Sequence, residues 1–270
     1  MKPARRAPAA FALALVAVAG CAPGRLRLPS GTGTPLSDPA PVIDEAIGHC
    51  AALRTFTAEI RLSGRAGGHR IRVRLVAGLA APDGIRLEAV APVGQPLFIL
   101  ASAGDRTTLL LPRDDRVLTG QPPAAILEAL AGVSLTPPVL RSLLAGCPGG
   151  AIDRERVRAI GSEWVVAATA DGGMAYFRRL DGRWRLTALR GPSLEVEVVP
   201  GAGPQPASVR LTSPPGHDGA SFDLVLRLEQ VETNSTIPDE AFTVRVPADA
   251  VPMTLDELRQ AGPLRDRSAS

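Results

Sequence analysis

The sequence has 270 residues, of which 45% are hydrophobic and 3% aromatic, and its formal net charge is +3. Three of the 30 basic residues, Lys2, Arg5 and Arg6, precede the first apolar run, so residues 21–270 carry 27 basic and 27 acidic residues and no net charge. A neutral chain with few aromatic side chains argues against nucleic acid as a partner, because it lacks long-range attraction to phosphates and stacking platforms. The length and the hydrophobic content suffice to bury a large core.

Residues 1–20 are typical of an export signal, since the apolar run from Ala7 to Ala19 follows basic residues and is too short to span a membrane. The stretch Val18-Ala19-Gly20-Cys21 resembles the lipobox of bacterial lipoproteins. That resemblance implies cleavage before Cys21 and acyl chains on its thiol, which anchor a protein to a membrane. Ala22 follows instead of aspartate, and the resemblance therefore favours the periplasmic face of the outer membrane.

The remaining chain is predicted to form one domain between a tether and a tail. Residues 21–38 carry the lipidated cysteine and are rich in Pro, Gly, Ser and Thr, which is typical of a flexible tether. The domain extends over residues 39–250, and residues 251–270 form a polar tail. Helices are predicted from apolar spacings of three and four over residues 39–53, 122–131 and 137–145, with a short polar one near 255–260.

After Arg54 the apolar period changes to two, as in strands with one dry and one wet face. Strands are predicted at 56–62, 71–75, 85–91, 97–103, 107–111, 117–119, 164–169, 174–180, 184–189, 194–198, 207–211, 222–231 and 242–246. Residues 153–157 are interpreted as a short charged helix or a loop. We therefore expect a mainly β fold of the α+β class, with one curved antiparallel sheet of about 11 strands and helices on its concave face.

Two sets of residues allow more than one interpretation. Cys50 and Cys147 either form a disulfide, in a compartment where disulfides persist, or remain two buried unpaired cysteines. Arg70, Arg72 and Arg74 alternate with apolar residues, and we interpret them as the solvated face of a strand, with a basic patch as the alternative.

Two motifs resemble the LolA/LolB lipoprotein-localisation superfamily, and its LolB-like branch in particular. Ala91-Pro92-Val93-Gly94 matches a Pro-Leu-Gly hairpin tip, with Val93 in place of leucine, and residues 140–149 match a helix that ends in Leu-x-Gly. The resemblance implies an unclosed β-barrel that holds acyl chains of lipoproteins or lipids in its concavity. It also implies a membrane-contact loop at Pro92, Val93 and Gly94, and a periplasmic lipoprotein carrier as partner. The segment 237–242 departs from this branch and resembles other members of the superfamily.

The apolar positions of the predicted strands and of one helix define a candidate cavity. Its lining residues are Ile60, Leu62, Val73, Leu75, Leu87, Ile99, Leu109, Leu111, Leu140, Leu143 and Leu144. These residues line a lipid-binding cavity or fill an ordinary core. The second interpretation leads to a different function, in which a structural or assembly lipoprotein docks a protein partner through its surface.

No arrangement of residues in the sequence points to catalysis. His49, His69 and His217 are isolated from one another, and none has the spacing of metal ligands. No Gly-x-Ser-x-Gly or Cys-x-x-Cys motif occurs. The sequence therefore predicts a monomeric binding protein that is not an enzyme and uses neither a cofactor nor a metal.

Overall fold

The computed structural model describes residues 26–91 and 94–264. The export signal, Cys21, Pro92 and Val93 therefore lie outside the described residues. The strands are β1 Thr34–Pro35, β2 Thr55–Ala66, β3 His69–Ala80, β4 Gly84–Val90, β5 Phe98–Ala103, β6 Arg106–Leu111, β7 Arg116–Thr119, β8 Ile152–Ile160, β9 Trp164–Thr169, β10 Met174–Leu180, β11 Arg183–Arg190, β12 Glu195–Pro200, β13 Pro206–Thr212, β14 Phe222–Thr233 and β15 Val251–Pro252.

Four α-helices accompany the strands in the described part of the chain. They are α1 Ala40–Ile47, α2 Pro123–Ala131, α3 Pro137–Leu144 and α4 Leu255–Ala261, and 3-10 turns cover Gly48–Ala52 and Asp239–Phe242. The helix predicted over 39–53 thus ends at Ile47 and continues as a 3-10 turn. Within the described ranges, no helix has the length and apolar character needed to cross a membrane.

All the strands belong to one sheet of 15, in the order β1-β8-β9-β10-β11-β12-β13-β14-β2-β3-β4-β5-β6-β7-β15. Neighbouring strands are antiparallel, except that β15 runs parallel to β7. The two halves of the chain meet at β14 and β2, which pair from Phe222 opposite Ala66 to Thr233 opposite Phe56. Because β1 and β15 are the two ends of the order, the sheet is open.

The expected count of about 11 strands is too low, and three omissions contribute to the difference. The helix or loop expected at 153–157 is wrong, because these residues belong to β8. Four of the five charged side chains of β8 are exposed, and a register shift between Ile152 and Val157 hides its period. β1 and β15 have two residues each and carry no pattern. The strand predicted at 242–246 is wrong, because Phe242 ends a 3-10 turn and the residues after it pair with no strand.

Apolar side chains form two cores against this sheet, and Leu189 packs against both. The first core lies between α2, α3, α4 and the concave faces of β2 to β7 and β12 to β14. The second core lies between α1 and the strands β8 to β11, where Ile43 and Phe177 are fully buried. Met253, Leu258 and Leu264 belong to the first core, so the segment after residue 250 packs onto the domain.

Candidate functional site: an apolar cleft beside the first core

Alternation along the strands places seven of the eight predicted strand residues on the concave face, and α3 supplies the other three. Nine of the eleven are less than 9% exposed and belong to the first core, and Val73 packs against it partly buried. The nine are Ile60, Leu62, Leu75, Leu87, Leu109, Leu111, Leu140, Leu143 and Leu144. The structure therefore brings ten of the predicted residues together, and it packs them against one another.

Ile99 is the predicted residue that the structure places elsewhere. In β5 the buried positions of the concave face are Phe98 and Leu100, and Ile99 is paired with Glu88 and Leu110 on the convex face. Four consecutive apolar residues, 97–100, leave the period-two phase of this strand undefined in the sequence. The convex face near β4 and β5 is covered by the turn that ends at Phe242, which is 6% exposed.

An open cleft of about 820 Å³ lies beside the first core. It is bounded by the β2–β3 turn, the α2–α3 connection and the loop between β13 and β14. Its apolar wall consists of Ile71, Leu130, Val133, Leu135, Val139, Leu194 and Phe222, and its polar rim includes His69, Asp171, His217, Asp218 and Arg259. Its volume lies within the range of pockets that bind small molecules, roughly 300–1,000 Å³.

The α2–α3 connection gives the cleft its apolar wall. α2 ends at Gly132, whose φ of +73° turns the chain into the connection, and Thr136 precedes the first proline of α3. Val133 and Leu135 are less than 9% exposed, although they lie in a segment without helix or strand. Val133 and Leu135 are not among the predicted lining residues, and the signal for them in the sequence is two apolar residues between two predicted helices.

The cleft opens directly onto the first core. Ile71, Leu130 and Phe222 line the cleft and also belong to the first core. The ring of His217 meets Phe222 edge to face, with 6.0 Å between the ring centres. Apolar contact is therefore continuous from the cleft to the concave face of the sheet.

A disulfide fixes the far end of α3. The sulfur atoms of Cys50 and Cys147 are 2.00 Å apart, and this bond links the turn after α1 to the end of α3. His49 Nε2 lies 3.6 Å from Cys147 Sγ and 3.3 Å from the carbonyl oxygen of Ala145. α3 thus extends from the cleft, where Val139 lies, to a covalent link with the segment that follows α1.

The same three side chains form the one cluster in the described ranges that has three groups suited to a metal. Ligand atoms of His49, Cys50 and Cys147 lie within 4.8 Å of one another. Because the two sulfurs are bonded to each other, they do not offer thiolates to a metal ion. The geometry of this cluster is that of a structural link.

The predicted membrane-contact loop is described only at its edges. Gly94 has a φ of +84°, a conformation that glycine adopts readily. The backbone N–H of Leu97 donates to the carbonyl oxygen of Ala89 at 2.9 Å and closes the base of the connection between β4 and β5. Contact of Pro92, Val93 and Gly94 with a membrane stays a prediction.

No protein-family model and no curated protein matches the sequence. Among solved structures, a LolA superfamily protein from Nitrosomonas europaea is similar at a TM-score of 0.48 and 10% identity, over 75% of this chain and 94% of that chain. A DUF1329 family protein from Desulfovibrio piger has a TM-score of 0.46 and 11% identity, over 73% of this chain and 92% of that chain. The lipoprotein LppX of Mycobacterium tuberculosis has a TM-score of 0.32 and 13% identity, over 75% of this chain and 99% of that chain. The similar structures thus include a member of the superfamily that the sequence resembles.

Proposed function

We propose that this protein is an outer-membrane lipoprotein, anchored through Cys21, that binds acyl chains of lipoproteins or lipids and assists their localisation. The observation that carries the proposal is the cleft of about 820 Å³, whose apolar wall is continuous with the first core. An acyl chain that enters the cleft contacts apolar side chains, and each methylene that leaves water contributes about 0.8 kcal/mol. The function requires no covalent chemistry.

The helices over the first core are short, and two of them meet at the cleft. α2 has nine residues and α3 has eight, and the irregular connection between them lines the cleft. An acyl chain longer than the cleft reaches the first core if α2 moves, since α3 is held at its end by Cys147. We therefore assign the entry to the gap between α2 and the start of α3, where Val139 lies.

The remaining elements of the proposal come from the sequence motifs. Cys21 supplies the anchor, and the part of the predicted tether that precedes β1 lets the domain move relative to the lipid surface, since Thr34 and Pro35 pair with β8. The turn at Pro92, Val93 and Gly94 contacts the membrane. A periplasmic lipoprotein carrier delivers the cargo to a monomer of this protein.

A displacement assay tests acyl binding. The chain from residue 22 onward, produced without the anchor, is titrated with a fluorescent fatty-acyl probe and analysed by native mass spectrometry. Val139→Glu places a carboxylate on the half-buried wall of the cleft, and we expect probe binding to weaken at least about tenfold, because a charge next to an acyl chain loses its hydration.

Val199→Glu is the matched control, since Val199 is 54% exposed on β12 and does not line the cleft. We expect its probe affinity to equal that of the parent. Equal weakening in both variants would show that the probe binds outside the cleft. A parent protein that carries no lipid and ignores the probe would refute acyl binding.

A second function is supported by the packing of the first core. Ten of the predicted lining residues belong to the first core or pack against it, and none of the ten lines the cleft. This packing suits a structural or assembly lipoprotein that docks a protein partner. Lipid-free protein in native mass spectra, together with a defined complex that survives purification from the envelope, would favour this function.

A further inference from the structure

The convex face of the sheet carries a cluster of arginines that the pairing of distant strands assembles. We call it the arginine face, and its members are Arg61 and Arg65 on β2, Arg70, Arg72 and Arg74 on β3, Arg210 on β13 and Arg227 on β14. These four strands are adjacent in the order β13-β14-β2-β3. The side chains therefore form one surface, although β3 and β13 are far apart in the sequence.

Several of these arginines lie directly opposite one another. Arg65 pairs with Arg70, and Arg61 lies between Arg74 on one side and Arg227 on the other. Like charges at directly opposite positions destabilise a sheet. A local cost of this kind is typical of a surface that is kept for binding.

Acidic side chains neutralise only part of the arginine face. Asp223 accepts two hydrogen bonds from Arg210, at 2.6 and 2.7 Å, and Glu229 lies 3.0 Å from Arg61. Within the described ranges, Arg65, Arg70, Arg72 and Arg227 make no ion pair or side-chain hydrogen bond.

Elsewhere on the sheet, an arginine can have acidic residues on both sides. Arg190 lies between Glu195 and Glu197, at 3.7 and 3.2 Å. The charge of the arginine face is therefore a local feature of a chain that is neutral after residue 20.

A groove of about 1,300 Å³ runs along the arginine face and ends in apolar residues. It forms where β4 leaves β3, because β4 pairs with β3 only from Arg74 to Ala80. Its apolar end consists of Val90, Ala91 and Leu97, which flank the connection between β4 and β5. Ile71 lines both this groove and the cleft, so the two openings are neighbours.

We propose that the arginine face docks onto the phosphate groups of lipids at a membrane surface. Guanidinium groups are weakly hydrated and bind phosphate through two parallel hydrogen bonds. Neighbouring strands are about 4.8 Å apart, so adjacent arginines reach separate phosphates. The apolar end of the groove can contact the apolar layer that lies below the headgroups of a membrane. A soluble polyanion has no such layer. Docking goes beyond acyl binding and does not depend on it.

Vesicle binding tests the proposal with two triple variants of equal charge. Arg65→Gln, Arg70→Gln and Arg72→Gln together remove unpaired charge from the arginine face. Arg106→Gln, Arg183→Gln and Arg245→Gln remove the same charge from exposed positions elsewhere. The chain from residue 22 onward, which keeps every described residue, is centrifuged with vesicles of phosphatidylcholine, alone or mixed with phosphatidylglycerol.

We expect the parent and the second variant to bind the anionic vesicles. The first variant should partition to them on the order of 100-fold less, because each basic residue near the surface contributes about 1 kcal/mol. Added salt should weaken binding of the parent. The melting temperature of the first variant should stay close to that of the parent, because the like-charge pair of Arg65 and Arg70 is relieved while Arg65 also loses its charge opposite Asp223. Uptake of the fatty-acyl probe should not change, which separates this proposal from acyl binding.

Three results would overturn the proposal. The first is equal binding of both triple variants to anionic vesicles. The second is a parent protein that does not bind anionic vesicles, or that binds vesicles of phosphatidylcholine alone equally well. The third is stabilisation of the parent by inorganic phosphate without any vesicle binding, which would assign the arginine face to free phosphate.

Discussion

Gly64 is held in a conformation that other residues rarely adopt, in the middle of the long strand β2. Its φ is +143°, and a Cβ atom at this position would lie 2.0 Å from the carbonyl oxygen of Asp223 on β14. β14 and β2 join the two halves of the chain, so this close approach lies at the centre of the sheet. Glycine in an alternating strand indicates a close backbone contact in general. The sequence does not show that β14 is the strand in contact with Gly64, because β14 lies in the other half of the chain.

We predict that Gly64→Ala lowers the free energy of unfolding by roughly 2–5 kcal/mol, through backbone strain and overpacking against β14. Urea unfolding followed by circular dichroism measures the change. Gly104→Ala is the control, since Gly104 has a φ of +58° with no atom within 4 Å of the added carbon, and it should cost about 1 kcal/mol. Equal costs in the two variants would contradict the close approach of β14.

At the scale of elements, local signals predicted the helices better than the strands. The helices α2 and α3 begin at prolines, and Gly132 and Gly146 follow them, so their ends were readable in the sequence. The phase of β5 and the existence of β8 depend on which face the rest of the sheet buries. The cleft depends on three connections that meet only in the folded chain, and no local pattern predicts that meeting.

The helix α4 is fixed by a capping box that also makes its stability depend on pH. The Thr254 hydroxyl accepts from the backbone N–H of Glu257, and the Glu257 carboxylate accepts from the backbone N–H of Thr254 at 2.7 Å. This backbone hydrogen bond, followed by one from Arg116, holds the pKa of Glu257 below its usual value. The lowered pKa means that the folded state favours the ionised form. Its contribution is complete above the ordinary pKa of a glutamate and is lost as the pH falls through the lowered pKa.

We predict that Glu257→Gln lowers the melting temperature at neutral pH and that the difference from the parent disappears in acid. Leu258 is fully buried in the first core, so loosening of α4 should also speed hydrogen exchange in the helix. Calorimetry across a pH series and exchange mass spectrometry measure the two effects. Glu155→Gln changes an exposed carboxylate on β8 and should leave both unchanged. A difference from the parent that persists undiminished in acid would refute the role of the ionised cap.

At the scale of the whole molecule, one open sheet supports two cores, and the cleft lies beside one of them. The cleft borders the first core only, and the disulfide between Cys50 and Cys147 connects the segments that cover the two cores. The groove of the arginine face and the cleft share Ile71. A membrane docked on the arginine face would therefore lie next to the opening through which we propose that acyl chains enter.

Two buried phenylalanines test this division. Phe177 is fully buried in the second core, and Phe222 is 4% exposed in the first core and lines the cleft. We predict that replacing either one by leucine costs about 1–3 kcal/mol of stability, since both leave unfilled volume in a packed core. Affinity for the fatty-acyl probe should separate them. Phe222→Leu removes apolar contact worth roughly 1 kcal/mol and should weaken binding about fivefold, whereas Phe177→Leu should not change it.

The comparison must be made well below the melting temperature of both variants, so that unfolding does not reduce the bound fraction. Similar melting temperatures with different probe affinities would locate acyl binding at the first core. Equal losses of affinity would mean that the two cores respond as one, and the binding site would then have to be sought near Leu189 on β11, which packs against both cores. The disulfide is the connection to examine in that case, because it is the covalent path from α1 to α3.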